Sequence, residues 1–125
     1  MTSVSERCSG RYGGELPATV KGLAKAYLAD YDRRSEIVLN GEARDGDKQR
    51  FKRINSIIDA CIASVLNMYG IYGKAAEIVM RDLKSGEGAR SVRCVSMVGA
   101  FLSRKGYEHV RDDVLWFVAQ ELRLF

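Results

Sequence analysis

Apolar residues recur along this chain every three to four positions, the spacing of one face of a helix. Val20, Leu23, Ala24, Tyr27, Leu28, Tyr31 and Val38 make the first such stripe. They predict a helix that opens near Leu16-Pro17, where the only proline suits a first turn, and stops at Asn40-Gly41 in a left-handed ending. Asp45-Gly46-Asp47 reads as a turn, with Asp47 able to cap a second helix carrying Phe51, Ile54, Ile58, Cys61, Ile62, Val65 and Tyr69 inward. Gly70-Ile-Tyr-Gly73 connects to a third, short helix over about 74–84, which buries Ala75, Ile78, Val79 and Leu83. A fourth helix is expected over about 89–101, showing Val92, Val95, Met97 or Val98, and Phe101. The fifth begins after Ser103, and its apolar set (Tyr107, Val110, Val114, Leu115, Phe117, Val118, Leu122) is too wide for one stripe, as if two sides were covered. No segment alternates with period two. The expected fold is all-α with about five helices, the last two forming a helix-turn-helix-like pair over about 89–122. Residues 1–15, rich in Ser, Gly and Arg, read as a disordered arm, and 16–125 as a single helical domain.

Composition narrows the function classes. A chain of 125 residues, 46% apolar and 29% charged, suits one soluble domain. No apolar run reaches the roughly 18–20 residues that cross a bilayer, so no membrane partner is expected. The first residues lack the apolar centre of a signal peptide, which makes the cytoplasm the expected compartment. Cys8, Cys61 and Cys94 are odd in number and widely spaced, giving neither a disulfide framework nor a zinc pattern. Cys61 and Cys94 read as small buried hydrophobes, and no metal or other cofactor is expected. Gly70-Ile-Tyr-Gly-Lys74 lacks the spacing and the final Ser/Thr of a phosphate loop. One histidine, no defined acid pair and no Cys–His neighbourhood argue against an enzyme.

Charge points elsewhere. The net charge is +4, and the isoelectric point is near 9.1. Lys48, Arg50, Lys52 and Arg53 cluster in the first turns of the second helix, where the plain alternative is a solvated face. Ser103 can cap the last helix, yet Arg104 and Lys105 follow in its first turn, where the helix dipole is already positive. Cations there are favoured if an anion occupies that end, and a nucleic-acid phosphate is the candidate. A short helix, a tight turn and a Ser-capped second helix form the layout that projects a helix into a major groove. With Tyr107 and Val110 inward, Arg104, Lys105, Glu108, His109 and Asp112 should face outward. Arg104 and Lys105 would meet phosphate or guanine, His109 could donate to a base, and Glu108 could accept from cytosine. Arg90 and Arg93 would approach the flanking backbone, while Lys48, Arg50, Lys52 and Arg53 add non-specific affinity. Asp112 and Asp113 repel phosphate, so the reading surface ends before them, and Arg111 pairs locally with Glu108 or Asp112. As plain alternatives, Ser103 is an ordinary cap and His109 an ordinary surface residue. Trp116 either fills the core or a homodimer seam, or anchors a partner.

The segment Leu102-Ser-Arg-Lys-Gly-Tyr-Glu-His-Val-Arg-Asp-Asp-Val-Leu-Trp-Phe-Val-Ala-Gln-Glu-Leu122 resembles the last helix of small phage-encoded transcription regulators, the RinA/ArpU-type late-gene activators and similar sigma-like proteins. Their pattern is an apolar residue, Ser, two polar or basic residues, a small residue, an aromatic, then a long amphipathic helix. The helix from Lys21 to Ile37 and the central segment Ile54–Tyr69 are similar in layout. The chain departs from the pattern where Ala100-Phe101 replaces the usual turn glycine, with Gly99 nearby, and where Met97 replaces a small residue. The resemblance implies a DNA-binding regulator of phage or prophage late genes in the bacterial cytoplasm. Its partner would be double-stranded DNA, with RNA polymerase as a second one and a homodimer as a possible state. The alternative is a helical adaptor that binds RNA polymerase or a phage packaging component without touching DNA.

Overall fold

The computed structural model describes residues 10–41, 44–85 and 104–124. Its elements are α1 (Ala18–Ala29), α2 (Tyr31–Asn40), α3 (Asp45–Met68), α4 (Gly73–Ser85) and α5 (Arg104–Glu121). The fold is all-α, with no strand among the described residues. The expected helix over about 89–101 lies outside the described residues, and so does the turn of the expected helix-turn-helix pair.

Pro17 stands at the cap of α1 with φ −57°, and its carbonyl accepts the N–H of Lys21 at 2.9 Å. Val20, Ala24 and Leu28, each four residues apart, are the buried edge of α1. The single first helix expected from the apolar stripe is in fact two, divided at Asp30. The Asp30 carboxylate takes two hydrogen bonds from Arg33 and lies 3.6 Å from Arg34, which turns inward and is buried. The inward group of α2 is therefore a guanidinium, which an apolar-spacing argument passes over. Gly41, at φ 68°, ends α2 in the left-handed conformation expected there.

Helix α3 starts two residues before the expected cap Asp47, with Arg44 at the cap position and no side-chain capping bond. Its 24 residues span about 36 Å. The carboxyl end closes on a six-to-one and a five-to-two bond, Ile71 N–H to the Leu66 carbonyl and Gly70 N–H to that of Asn67. Gly70 has φ 71°, and Ile71 is buried as the apolar residue that usually completes such an ending. That turn feeds α4, which buries Val79 and Leu83.

Helix α5 is the centre of the domain. Tyr107, Val110, Val114, Leu115, Val118 and Ala119 are buried, and α5 packs against both α1 and α3. Its apolar face is wide because two helices cover it. Tyr69, at the end of α3, touches Asp113, while Arg53 and Ile57, near the start of α3, share a groove with Phe117 and Glu121. The two helices therefore run in opposite directions. At the far end of α5, the Tyr107 hydroxyl donates to the Asp82 carboxylate of α4.

Candidate nucleic-acid interface

Two populations of cation occupy the described surface. The first is committed to carboxylates. Lys21 lies 3.3 Å from Asp112, Arg33 2.6 Å from Asp30, Lys84 2.9 Å from Asp59, and Arg111 3.2 Å from Asp112. The Lys21 pair ties α1 to α5 and the Lys84 pair ties α4 to α3, while the other two are local. The second forms no ion pair among the described residues; it includes Lys74, Arg81, Lys105 and Arg123, but is densest on α3 and its cap, at Arg44, Lys48, Arg50, Lys52 and Arg53. All are exposed except Lys48, which is half-buried. Arg50 makes only a cation–π contact with Phe51, 5.7 Å from the ring centre.

Helical geometry spreads the α3 cations around the outer face of that helix. Phe51, Asn55 and Ile58 point toward the body of the protein, so Lys48 and Lys52 flank the α2 side. Arg50 and Arg53 flank the α5 side, and Arg53 borders the groove floored by Ile57, Cys61 and Phe117. The first turn itself carries Asp45 and Asp47, which complement the helix dipole. Arg44, at the cap position, precedes these carboxylates, and Lys48, Arg50, Lys52 and Arg53 follow them. The cations flank both sides of the amino-terminal part of α3, with Arg44, Lys48 and Lys52 on one side and Arg50 and Arg53 on the other. Like charges four residues apart, as at Lys48 and Lys52, disfavour an isolated helix by about 0.2–0.5 kcal/mol. Each flank can contact phosphate, as a point charge from lysine and as a forked donor from arginine.

The other expected contact residues fall apart into distinct places. Lys105 is exposed and forms no ion pair among the described residues, and Glu108 and His109 are half-buried on α5. Arg90, Arg93, Ser103 and the side chain of Arg104 lie outside the described residues. Lys105 sits at the α4 end of α5, about 24 Å along its axis from Glu121 and the Arg53 end of α3. The α3 cations and the start of α5 are therefore two separate areas.

Asp112 does not face outward. It is 5% exposed and is held by Lys21 of α1 and by Arg111, because α1 covers the side of α5 that a single-stripe reading leaves open to solvent. Asp113 is fully buried as well. Its oxygens accept the backbone N–H groups of Arg11, Tyr12 and Gly13, the last at 2.7 Å, and the hydroxyl of Tyr69. Burial, and then the hydrogen bond to Asp113, push the Tyr69 hydroxyl far above the usual tyrosine range. From Gly10 onward the segment expected to be a disordered arm is thus fastened to α5, while residues 1–9 lie outside the described residues. The signal for this was present in Gly13-Gly14 and in an aspartate amid valines, but charge alone made Asp113 look like a surface residue.

Cys61 is buried in the α3–α5 groove, where desolvation, and then the Glu121 charge, raise its thiol to about 11. That keeps it protonated and unreactive near neutrality. Trp116 is half-buried beneath Gly13 and Gly14 and meets Phe117 edge-on at 5.1 Å. Among the described residues no group of His, Cys, Asp and Glu could hold a metal ion, and no helix is long and apolar enough to cross a membrane. Compared with protein-family models, curated proteins and solved structures, the chain matches none of them.

Proposed function

We propose that this protein is a DNA-binding transcriptional regulator of the kind found among phage and prophage late-gene activators. The observation that carries the reading is the concentration of cations over 44–53, where Arg44, Lys48, Arg50, Lys52 and Arg53 all lack a carboxylate partner among the described residues. Unneutralised cations crowded on one stretch of helix suit the phosphate backbone, whose release of counterions drives sequence-independent binding. Base readout belongs to the start of α5, with Arg104, Lys105, Glu108 and His109, and with Arg90, Arg93 and Ser103 in the preceding segment. Because the two areas lie at opposite ends of α5, they address different stretches of duplex, and a homodimer would double the contacts. RNA polymerase in the bacterial cytoplasm is the second partner of this reading. The mechanism is binding, without catalysis.

Fluorescence anisotropy on random and promoter duplexes across a salt series tests it. Wild-type protein should bind with a steep negative salt slope. The Arg50→Glu/Arg53→Glu variant should bind at least tenfold more weakly, with a slope reduced by about 2, one for each lost phosphate contact. Absence of salt-sensitive binding at low micromolar protein removes the reading. A second reading, the helical adaptor, draws support from Phe117, which lines an open apolar groove with Ile57 and Cys61. It expects wild-type and variant protein alike to ignore DNA.

A further inference from the structure

The face of α5 that carries Asp113 and Trp116 is built to hold an extended backbone. Three successive N–H groups, from Arg11, Tyr12 and Gly13, converge on one carboxylate. Such a run of donors forms a concavity that suits an anion. The segment has no room for side chains where it lies closest. A Cβ on Gly10 would stand 2.0 Å from the Asp113 carboxylate, and one on Gly13 would stand 2.8 Å from Cβ of Trp116. Side chains between these glycines grip the neighbouring helix. Tyr12 meets Tyr69 edge-on at 5.3 Å and donates to the Met68 carbonyl, while Arg11 lies over the Tyr69 ring. Asp113 itself forms no ion pair with a side chain among the described residues, so backbone donors and one hydroxyl satisfy its buried charge.

We propose that Asp113, Trp116 and Tyr69 form a docking socket for an extended, glycine-bearing peptide segment, which residues 10–14 fill in cis and can yield to a competing segment. The occupant's chemistry is fixed by what sits there now. It has consecutive free N–H groups for the carboxylate, glycine against the indole, and an aromatic between them for Tyr69. Recognition through backbone groups needs few side chains, so a partner's peptide with this pattern is an equivalent ligand. The tether gives the cis segment an effective concentration in the millimolar range, which a competitor must match or a weakened strap must lower. This surface is independent of the cations on α3, and its test does not involve DNA.

Trp116 is the only tryptophan, so its emission reports the socket directly. In the full-length Gly10→Ala/Gly13→Ala variant, the strap should lift, red-shifting emission and raising acrylamide quenching at least twofold, with the helical far-UV signal unchanged. A synthetic peptide of residues 9–15, added at millimolar concentration, should restore the wild-type emission saturably. Asp113→Asn should show the exposed emission without rescue by the peptide. If that variant does not fold, the double variant and peptide decide alone. Wild-type quenching in the double variant, or an exposed Trp116 that the peptide leaves exposed, overturns the proposal.

Discussion

Arg34 donates from its Nε to Oδ1 of Asn55 at 2.7 Å, and both side chains are buried where α2 crosses α3. The rest of the guanidinium reaches the Tyr27 carbonyl and Asp30, and the Asn55 amide returns bonds to the Tyr31 carbonyl and to Ser35 Oγ. The partners come from the end of α1, from Asp30, from α2 and from α3, so this network joins the three helices where the chain turns. Burial lowers the Arg34 pKa from its usual value, yet an arginine stays charged, and its satisfaction depends on these acceptors.

Removing either member should destabilise the fold. Asn55→Ala leaves the buried Arg34 Nε without its acceptor, at about 1–3 kcal/mol. Arg34→Ala adds the loss of its packing against Tyr27, for about 2–4 kcal/mol. Arg34→Lys should recover little, since an ammonium cannot serve three separated acceptors in one plane. Urea unfolding of the three variants measures this. Full recovery by lysine would mean that charge, and not the forked geometry, holds α2 in place.

The alkaline limb of stability should depend on Tyr69. Its hydroxyl, and that of Tyr31, are shifted upward by burial first and then by a carboxylate neighbour, Asp113 and Asp59 respectively. A tyrosine whose folded value exceeds its unfolded one stabilises fully while the unfolded chain keeps its proton, below about pH 10. That contribution is lost as pH rises from there through the folded value. Tyr69→Phe should therefore be less stable than wild type at pH 8, and the gap should narrow as pH climbs past about 10. Urea midpoints taken at pH 8, 9.5 and 11 provide the check. A gap of constant size would show that the Asp113 bond does not depend on the Tyr69 proton.

Much of the helical frame could be read from the chain. The apolar spacing of α3, the left-handed stop at Gly41, the connection at Gly70 and the inward Tyr107 all follow from local rules that tertiary packing leaves intact. Three features escaped because a charge satisfied within the fold carries no periodic signature. Asp30 splits the first helix by binding Arg33 and Arg34, Asp112 turns toward Lys21 because α1 covers it, and Asp113 is satisfied by backbone a hundred residues away. Reading charged residues as solvent-facing is sound for most of the surface, and it identified Lys48, Arg50, Lys52 and Arg53 as a cluster. It fails where the fold supplies the compensating charge or donor, from the next helical turn at Asp30 and from a distant part of the chain at Asp112 and Asp113.

The carboxyl-terminal ending offers a last test, in which only backbone conformation is at stake. Arg123 has φ 54° and is exposed, in the position that glycine usually takes after a helix. Its N–H bonds to the Gln120 carbonyl, and the Leu124 N–H bonds to that of Ala119, so the conformation is imposed by the two bonds that close α5. Leu122 and Leu124, packed on the core, pull the chain through this turn. An L-residue held there is disfavoured by about 1–2 kcal/mol, a penalty that glycine escapes in the folded state while losing more freedom on folding. The balance favours Arg123→Gly by about 0.5–1 kcal/mol, whereas Arg123→Ala should stay near wild type and Arg123→Val, branched at Cβ, should fall below it. Thermal unfolding of the set should rank glycine first and valine last. Were alanine to equal glycine, the left-handed turn would not persist in solution, and α5 would end in a frayed turn instead.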